Sequence, residues 1–280
     1  MAVRGYLDLV RLPNSLLSGI GASLSVLVYS GYRVDAALLL LGFTTGFALT
    51  AASMAVNDVV DSRVDSINKP WKPIPRGAAT ARGAVLLASV MVAIALALNA
   101  THSQAALITA LAYCAIGLSY SFLRKHCWSH ALVAVSTTGP VVYGYVVTGY
   151  PQGELHFTVL FSTVVFLVTL GREFLKAIQD YEGDMAQGYK TLATTLGLEK
   201  ASKAMVLTGL AGSALAVYTT TLSVGLAYKA VIALAAVAYA HGVVSAHRKR
   251  LDKGSLEKSR KTTLVSMFIG ILAFWLSKIG

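Results

Sequence analysis

Two short stretches hold most of the side chains that could do chemistry. Residues 57–70, NDVVDSRVDSINKP, place Asp58, Asp61 and Asp65 within eight positions. A second stretch, REFLKAIQDYEGDMAQGYKT, supplies Glu173, Asp180, Glu182 and Asp184. Together they carry seven of the 13 acidic residues in a chain of 280 that is 55% hydrophobic, so the clustering needs a chemical reason. On a continuous helix Asn57, Asp61 and Asp65 stand four apart and share a face with Asp58 beside them, and Arg172, Lys176, Asp180 and Asp184 repeat in the same way. Stacked like charges destabilise a helix, so each acidic stripe calls for a cation. Carboxylates with an Asn amide oxygen are hard donors that suit Mg²⁺, which keeps open positions that phosphate oxygens commonly fill. Neither stretch has the His and Cys cluster that zinc favours. Helix C-termini, where both stretches are expected, add negative partial charge and favour a cation further. The plainer alternative is that these acids are interfacial residues paired with Arg63, Lys69, Arg172 and Lys176.

The elements that must position these stripes are membrane helices. A mean hydropathy of +0.64 with 13% charged residues lies outside the soluble range, and apolar runs of about 20 residues match the length needed to cross hydrocarbon as helix. The expected fold is all-α, a polytopic membrane bundle of nine spans at 13–30, 36–57, 83–100, 104–123, 131–149, 157–178, 203–223, 228–247 and 262–279, organised as one domain over residues 1–280. Residues 1–12, MAVRGYLDLVRL, contain two Arg and one Asp, so they are expected to lie along the interface as a short amphipathic helix rather than to act as a cleaved signal peptide.

All but three of the 24 Lys and Arg fall at the N-terminus or in the loops after spans 2, 4, 6 and 8. Positively charged short loops stay in the cytoplasm, so the N-terminus and both acidic stretches are expected inside and the C-terminus outside the cell membrane. The net charge of +11 is then mainly a topology signal, and because the basic residues flank spans, nucleic acid is not an expected partner. Cys114 falls within span 4 and Cys127 in the loop after it, which makes neither a disulfide framework nor a metal cluster. Small residues, as in GIGAS and LTGLAGSALA, allow close helix packing in lipid.

With the stripes placed at the ends of spans 2 and 6, the pattern becomes specific. NDVVDSRVDSINKPWKPIPRG resembles the first signature of the UbiA-type membrane prenyltransferases, N-D-x-x-D-x-x-x-D followed by N-x-P and P-I-P-x-G, and DYEGDMAQGYKTLA resembles their second. The resemblance runs the length of the chain. Lys72 stands where the family often has Arg, and Ser129-His130 where Gly-Asn is common.

The resemblance implies transfer of a prenyl group from a prenyl diphosphate to a lipophilic acceptor, helped by two Mg²⁺ ions. By the same resemblance Asn57, Asp61 and Asp65 hold one ion with Asp58 assisting, and Asp180 and Asp184 hold the other. Arg63, Lys69, Lys125, Arg172 and Lys176 are candidates for the diphosphate. YSFLRK resembles a family Tyr-Ser-x-x-x-Lys element in which Tyr120 presents its ring to the allylic cation and Ser121 and Lys125 contact substrate. In RLPNS, Arg11 and Asn14 stand where the family often contacts acceptor or diphosphate, although a membrane anchor is an equal reading of Arg11. Glu173 is a candidate proton acceptor.

The polar loops after spans 2 and 6 are expected to cap the site against water, and the prenyl tail to reach it from membrane lipid. LGREFLKAIQDYEGD resembles the archaeal branch of the family, which joins geranylgeranyl to geranylgeranylglyceryl phosphate. An aromatic acceptor such as 4-hydroxybenzoate or a quinone precursor is the alternative. A cation transporter, a different class, is disfavoured because the acids sit at helix ends with little charge deeper in the spans to form a path.

Overall fold

The computed structural model describes residues 2–123, 126–222, 225–249 and 252–279, and every regular element among them is helical. The chain divides into two compact units. The first is Met1–Leu123 with Gly139–Pro151, and the second is Arg124–Thr138 with Gln152–Gly280.

The first unit holds α1 (Ala2–Leu9), α2 (Leu12–Tyr29), α3 (Ala36–Val60), α4 (Ser62–Asn68), α5 (Ala81–His102), α6 (Gln104–Leu123) and the end of α7 (Ser129–Val147). Its central element is α3, which packs against α2, α5 and α6. Asp35 caps α3 by accepting hydrogen bonds from the Ala37 and Leu38 amides, and Thr80 caps α5 through the Gly83 amide. A Cβ on Gly46 would stand 2.6 Å from the Ser18 carbonyl oxygen, so α2 and α3 approach this closely only because that position has no side chain. Deep in the unit the Asn99 amide donates to Thr45 Oγ1 and to the Ala95 carbonyl, each at 2.8 Å, and accepts from the Tyr143 hydroxyl at 2.7 Å. All three side chains are buried and partnered, which a polar group facing hydrocarbon requires.

The expected short N-terminal helix is present as α1, Ala2–Leu9, but it is docked on protein rather than only on the interface. Leu9 is fully buried among Ala52 and Ala55 of α3 and Ala79, Ala84 and Ala88, while Asp8 pairs with Arg76.

The second unit holds the start of α7, then α8 (Leu155–Gln179), α9 (Tyr181–Ala186), α10 (Leu192–Leu196), α11 (Leu198–Tyr218), α12 (Leu226–Arg248) and α13 (Lys253–Leu276). Here α8 packs on α11, α11 on α12, and α12 on α13. Leu175, Met205, Tyr239 and Val243 fill the centre, and the Tyr239 hydroxyl donates to the Val168 carbonyl. A Cβ on Gly212 would come within 2.9 Å of Val168, so the small residues of LTGLAGSALA do set the α8–α11 approach. Lys278 pairs with Glu154 and lies 5.5 Å over the Phe157 ring.

Among the described residues eight helices are long and apolar enough to cross a membrane: α2, α3, α5, α6, α7, α8, α11 with the turn that follows it, and α12. The ninth expected span falls on α13, whose first turns carry Lys253, Glu257, Lys258, Arg260 and Lys261, leaving only its later part apolar. In that polar start the hydrogen bond from Arg260 holds the Glu257 carboxyl below the usual carboxylate range. Several helices outrun the apolar runs that predict them. α3 continues to Val60 and α11 begins at Leu198, because backbone hydrogen bonding continues where apolar composition stops.

Candidate active site

Asp61 is a one-residue junction between α3 and α4, and its φ of −85° and ψ of −7° are helical. The ladder therefore runs through it. The Asp61 amide donates to the Asn57 carbonyl at 3.0 Å, Asp65 to Asp61 at 2.8 Å, and Lys69 to Asp65 at 2.8 Å. The four-residue spacing of Asn57, Asp61 and Asp65 read from the sequence is thus preserved across the junction.

Asp58, Asp61 and Asp65 are 3%, 6% and 4% exposed, a burial that carboxylates tolerate only with partners. Arg11 Nη2 donates to Asp58 Oδ1 at 2.7 Å, and Lys72 Nζ donates to the same oxygen at 3.0 Å and to Asp65 Oδ2 at 2.5 Å. Arg11 holds a left-handed backbone, φ 45° and ψ 63°, between α1 and α2, a conformation that costs a non-glycine residue about 1–3 kcal/mol. The burial of Leu9 on one side and the ion pair with Asp58 on the other hold it there. Asn57 Oδ1 is buried and accepts no hydrogen bond among the described residues.

These contacts revise the roles read from the sequence. Arg11 is an ion-pair partner of Asp58, not a simple membrane anchor, and Lys72 binds two of the aspartates. Asp58 is occupied by these two cations. Arg63 and Lys69 are exposed and form no ion pair among the described residues. Arg63 stands two positions from both Asp61 and Asp65, which puts it away from their face. Lys69 would share that face, but α4 ends at Asn68 and Lys69 turns out of the helix at φ −141°. Asn14 is exposed on the first turn of α2. The cue that would have found Lys72 is its place between Pro70 and Pro73, where two fixed φ angles stiffen a loop returning toward the helix it has just left.

The second acidic stripe is built alike but partnered differently. Asp180 joins α8 to α9, its amide bonded to the Lys176 carbonyl at 2.9 Å and its carbonyl to the Asp184 amide at 2.8 Å. Asp180 is exposed and Asp184 half-buried. Glu173 is 5% exposed and takes both hydrogen bonds of Lys176, at 2.8 and 2.9 Å, with Arg172 Nη1 at 4.0 Å. Glu173 is therefore no spare acid, since its charge is already matched. Arg172 Nε is buried with no acceptor among the described residues.

On the last turn of α6, Tyr120 is half-buried, and Ser121, 2% exposed, has a buried hydroxyl without a hydrogen-bond partner among the described residues. Lys125 lies outside the described residues. His126 stacks on Trp128 at 5.8 Å, and His130 meets Phe174 edge-on at 5.9 Å.

No group of three or more His, Cys, Asp or Glu forms a ready ligand set among the described residues. Each stripe instead carries two carboxylates, the first with Asp65 paired to Lys72 and with the Asn57 oxygen, unpartnered among the described residues, beside them. That donor set fits Mg²⁺ completed by substrate oxygens rather than enclosed by protein.

Membrane-length helices thus carry one acidic motif at the end of α3 and another at the end of α8, the placement expected from the resemblance to membrane prenyltransferases. The chain belongs to the UbiA prenyltransferase family, which it matches over residues 17–276. It is 30% identical over 285 residues to the digeranylgeranylglyceryl phosphate synthase of Saccharolobus solfataricus, covering 100% of this chain and 98% of that one. A solved structure described as giving insights into digeranylgeranylglyceryl phosphate synthase in membranes shares the fold with a TM-score of 0.86 at 24% identity, over 99% of both chains. The structure of a UbiA homolog from Archaeoglobus fulgidus bound to GPP and Mg²⁺ shares it with a TM-score of 0.71 at 18% identity, over 96% of this chain and 99% of that one.

Proposed function

We propose that this prenyltransferase joins a geranylgeranyl group, delivered as its diphosphate, to the free hydroxyl of geranylgeranylglyceryl phosphate, forming the second ether bond of an archaeal lipid. The observation that carries the reading is the likeness to an archaeal digeranylgeranylglyceryl phosphate synthase over the full length of both chains. Asn57, Asp61 and Asp65 would hold one Mg²⁺, and Asp180 and Asp184 a second. Bound Mg²⁺ supplies positive charge against the diphosphate as the allylic C–O bond breaks. Arg172, whose Nε has no acceptor among the described residues, and Lys176 supply further donors for phosphate oxygens, with Arg63, Lys69, Lys125, Asn14 and Ser121 as the remaining candidates for substrate contact. Tyr120 offers a π-face to the allylic cation. With donor bound, the loop after α4 would shield the end of α3, and the segment carrying α9 and α10 would shield the end of α8, where Asp180 is exposed in the free protein, so that the cation meets the acceptor hydroxyl rather than solvent.

Product mass tests the acceptor. Purified protein in lipid nanodiscs with Mg²⁺ and geranylgeranyl diphosphate is expected to yield the diether phosphate from geranylgeranylglyceryl phosphate and no adduct from 4-hydroxybenzoate. Prenylation of the aromatic acid alone would overturn the assignment.

Residues 1–280 act as one prenyltransferase domain of nine spans, with α13 supplying the last, both acidic motifs in the cytoplasm and the C-terminus outside the cell membrane. The distribution of Lys and Arg supports this orientation. In sealed vesicles a membrane-impermeant maleimide should reach the exposed native Cys127 only from the cytoplasmic side, and the Gln152→Cys thiol, in a Cys127→Ser background, only from the opposite side. Labelling of both from one side would reject the orientation.

A further inference from the structure

Lys72 holds two buried carboxylates at once. Its Nζ is 3.0 Å from Asp58 Oδ1 and 2.5 Å from Asp65 Oδ2, and its side chain is 15% exposed against 4% and 6% for the aspartates. Asp58 has a second cation, because Arg11 meets the same oxygen at 2.7 Å. Asp65 differs, with Lys72 its only ion-pair partner among the described residues. A divalent ion bound by Asn57, Asp61 and Asp65 would need the carboxylate that Lys72 occupies. An ammonium and a divalent ion cannot share one partly buried carboxylate without strong repulsion unless an anion comes between them.

We propose that Lys72 is a positioning residue that takes the place of the metal on Asp65 when no diphosphate is bound. It keeps the affinity for Mg²⁺ alone low, and releases Asp65 when Mg²⁺ enters together with a diphosphate, whose negative charge then answers the ammonium. Asp58 makes the exchange cheap, because it stays neutralised by Arg11 and keeps Lys72 tethered a few ångströms from where it stood. Pro70 and Pro73 limit how far the lysine backbone can stray. The device would prevent a bare metal from settling on the acidic stripe and would couple metal entry to donor entry. It rests on Asn57, Asp61 and Asp65 being metal ligands.

A purely structural staple between α3 and α4 would affect stability but would not suppress metal affinity, so metal binding is the measurement that separates the two roles. Mn²⁺ retained by full-length protein in nanodiscs is measured by equilibrium dialysis, with and without inorganic pyrophosphate, for wild type, Lys72→Met and Lys72→Arg. Without pyrophosphate, Lys72→Met should bind Mn²⁺ at least ~10-fold more tightly than wild type, the effect of removing one unit charge at close range. Lys72→Arg should match wild type. With pyrophosphate the advantage of Lys72→Met should vanish or reverse. Thermal unfolding of Lys72→Met should begin earlier without metal and recover when Mn²⁺ is added. Should Lys72→Met fail to fold, Lys72→Gln, which can still hydrogen-bond both carboxylates, is read by the same criterion. A folded uncharged variant with Mn²⁺ affinity equal to or weaker than wild type overturns the proposal, although wild-type binding with pyrophosphate would leave the ligand assignment intact. If wild type retains no Mn²⁺ even with pyrophosphate, the ligand assignment fails and the proposal with it.

Discussion

Asp61→Ala and Asp184→Ala are each expected to reduce turnover by at least ~10²–10³-fold, the size of effect seen when one group that stabilises developing charge is removed. Asp61 lies where α3 passes into α4, and Asp184 is hydrogen-bonded through its backbone to Asp180, one turn back, and to Tyr189. The ladder through each helix junction is made by main-chain groups, which the substitutions leave in place, and a thermal melt of each variant separates loss of fold from loss of metal ligand. Initial rates with saturating donor and acceptor, together with a thermal melt, measure the effect. A folded Asp61→Ala protein with ordinary turnover would contradict the assignment of metal ligands. Raising Mg²⁺ should recover little activity in either variant, since the loss lies in the ligand set rather than in occupancy alone.

The second large effect concerns the order of bond breaking and making. If the allylic C–O bond breaks ahead of attack, a donor fluorinated near the reacting carbon, whose cation is destabilised, should react more slowly by ~10²-fold or more, since each 1.36 kcal/mol added to the barrier is a factor of ten. Loss of a general base typically costs about 10²–10⁴-fold, and His126→Ala and His130→Ala should fall well short of that range. His126 stacks on Trp128 and Glu173 is paired with Lys176, whereas His130 packs edge-on to Phe174 with its buried Nε2 unpartnered among the described residues, which makes His130→Ala the more searching of the two variants. Single-turnover rates for both donors and both variants decide the matter. A fluorinated donor reacting at the normal rate, with either His variant crippled, would replace ionisation with base-driven displacement.

The parts of the site that were legible in the sequence are those whose spacing is local. Asn57, Asp61 and Asp65 stand four apart, and helical hydrogen bonding through Asp61 keeps them so; the same holds for Lys176, Asp180 and Asp184. The helices were legible because 20-residue apolar runs have few alternatives in lipid. Partner choice was not legible. Charge and position pointed to Lys69 and Arg63 and passed over Lys72, yet the end of α4 at Asn68 removes Lys69 from the shared face and the loop returns Lys72 to it. Arg11 is 47 positions from Asp58 and reaches it only because Leu9 docks α1 on α3 and the backbone turns left-handed between α1 and α2. Glu173 read as spare because its pairing depends on rotamers of Lys176 rather than on sequence spacing alone.

The buried hydrogen bonds of Asn99 have a consequence for how the chain is made. Thr45 and Asn99 lie on α3 and α5, which are synthesised well before the Tyr143 hydroxyl that satisfies Asn99 Oδ1. Residues 139–151 of α7 and the turn after it belong to the same compact unit as the first 123. A nascent chain stopped after α6 therefore carries an amide oxygen in hydrocarbon without its donor. The arrival of α7 completes the first unit, so the biosynthetic intermediate before it is the stage at which a membrane chaperone or quality-control protease would find an unfinished surface to grip.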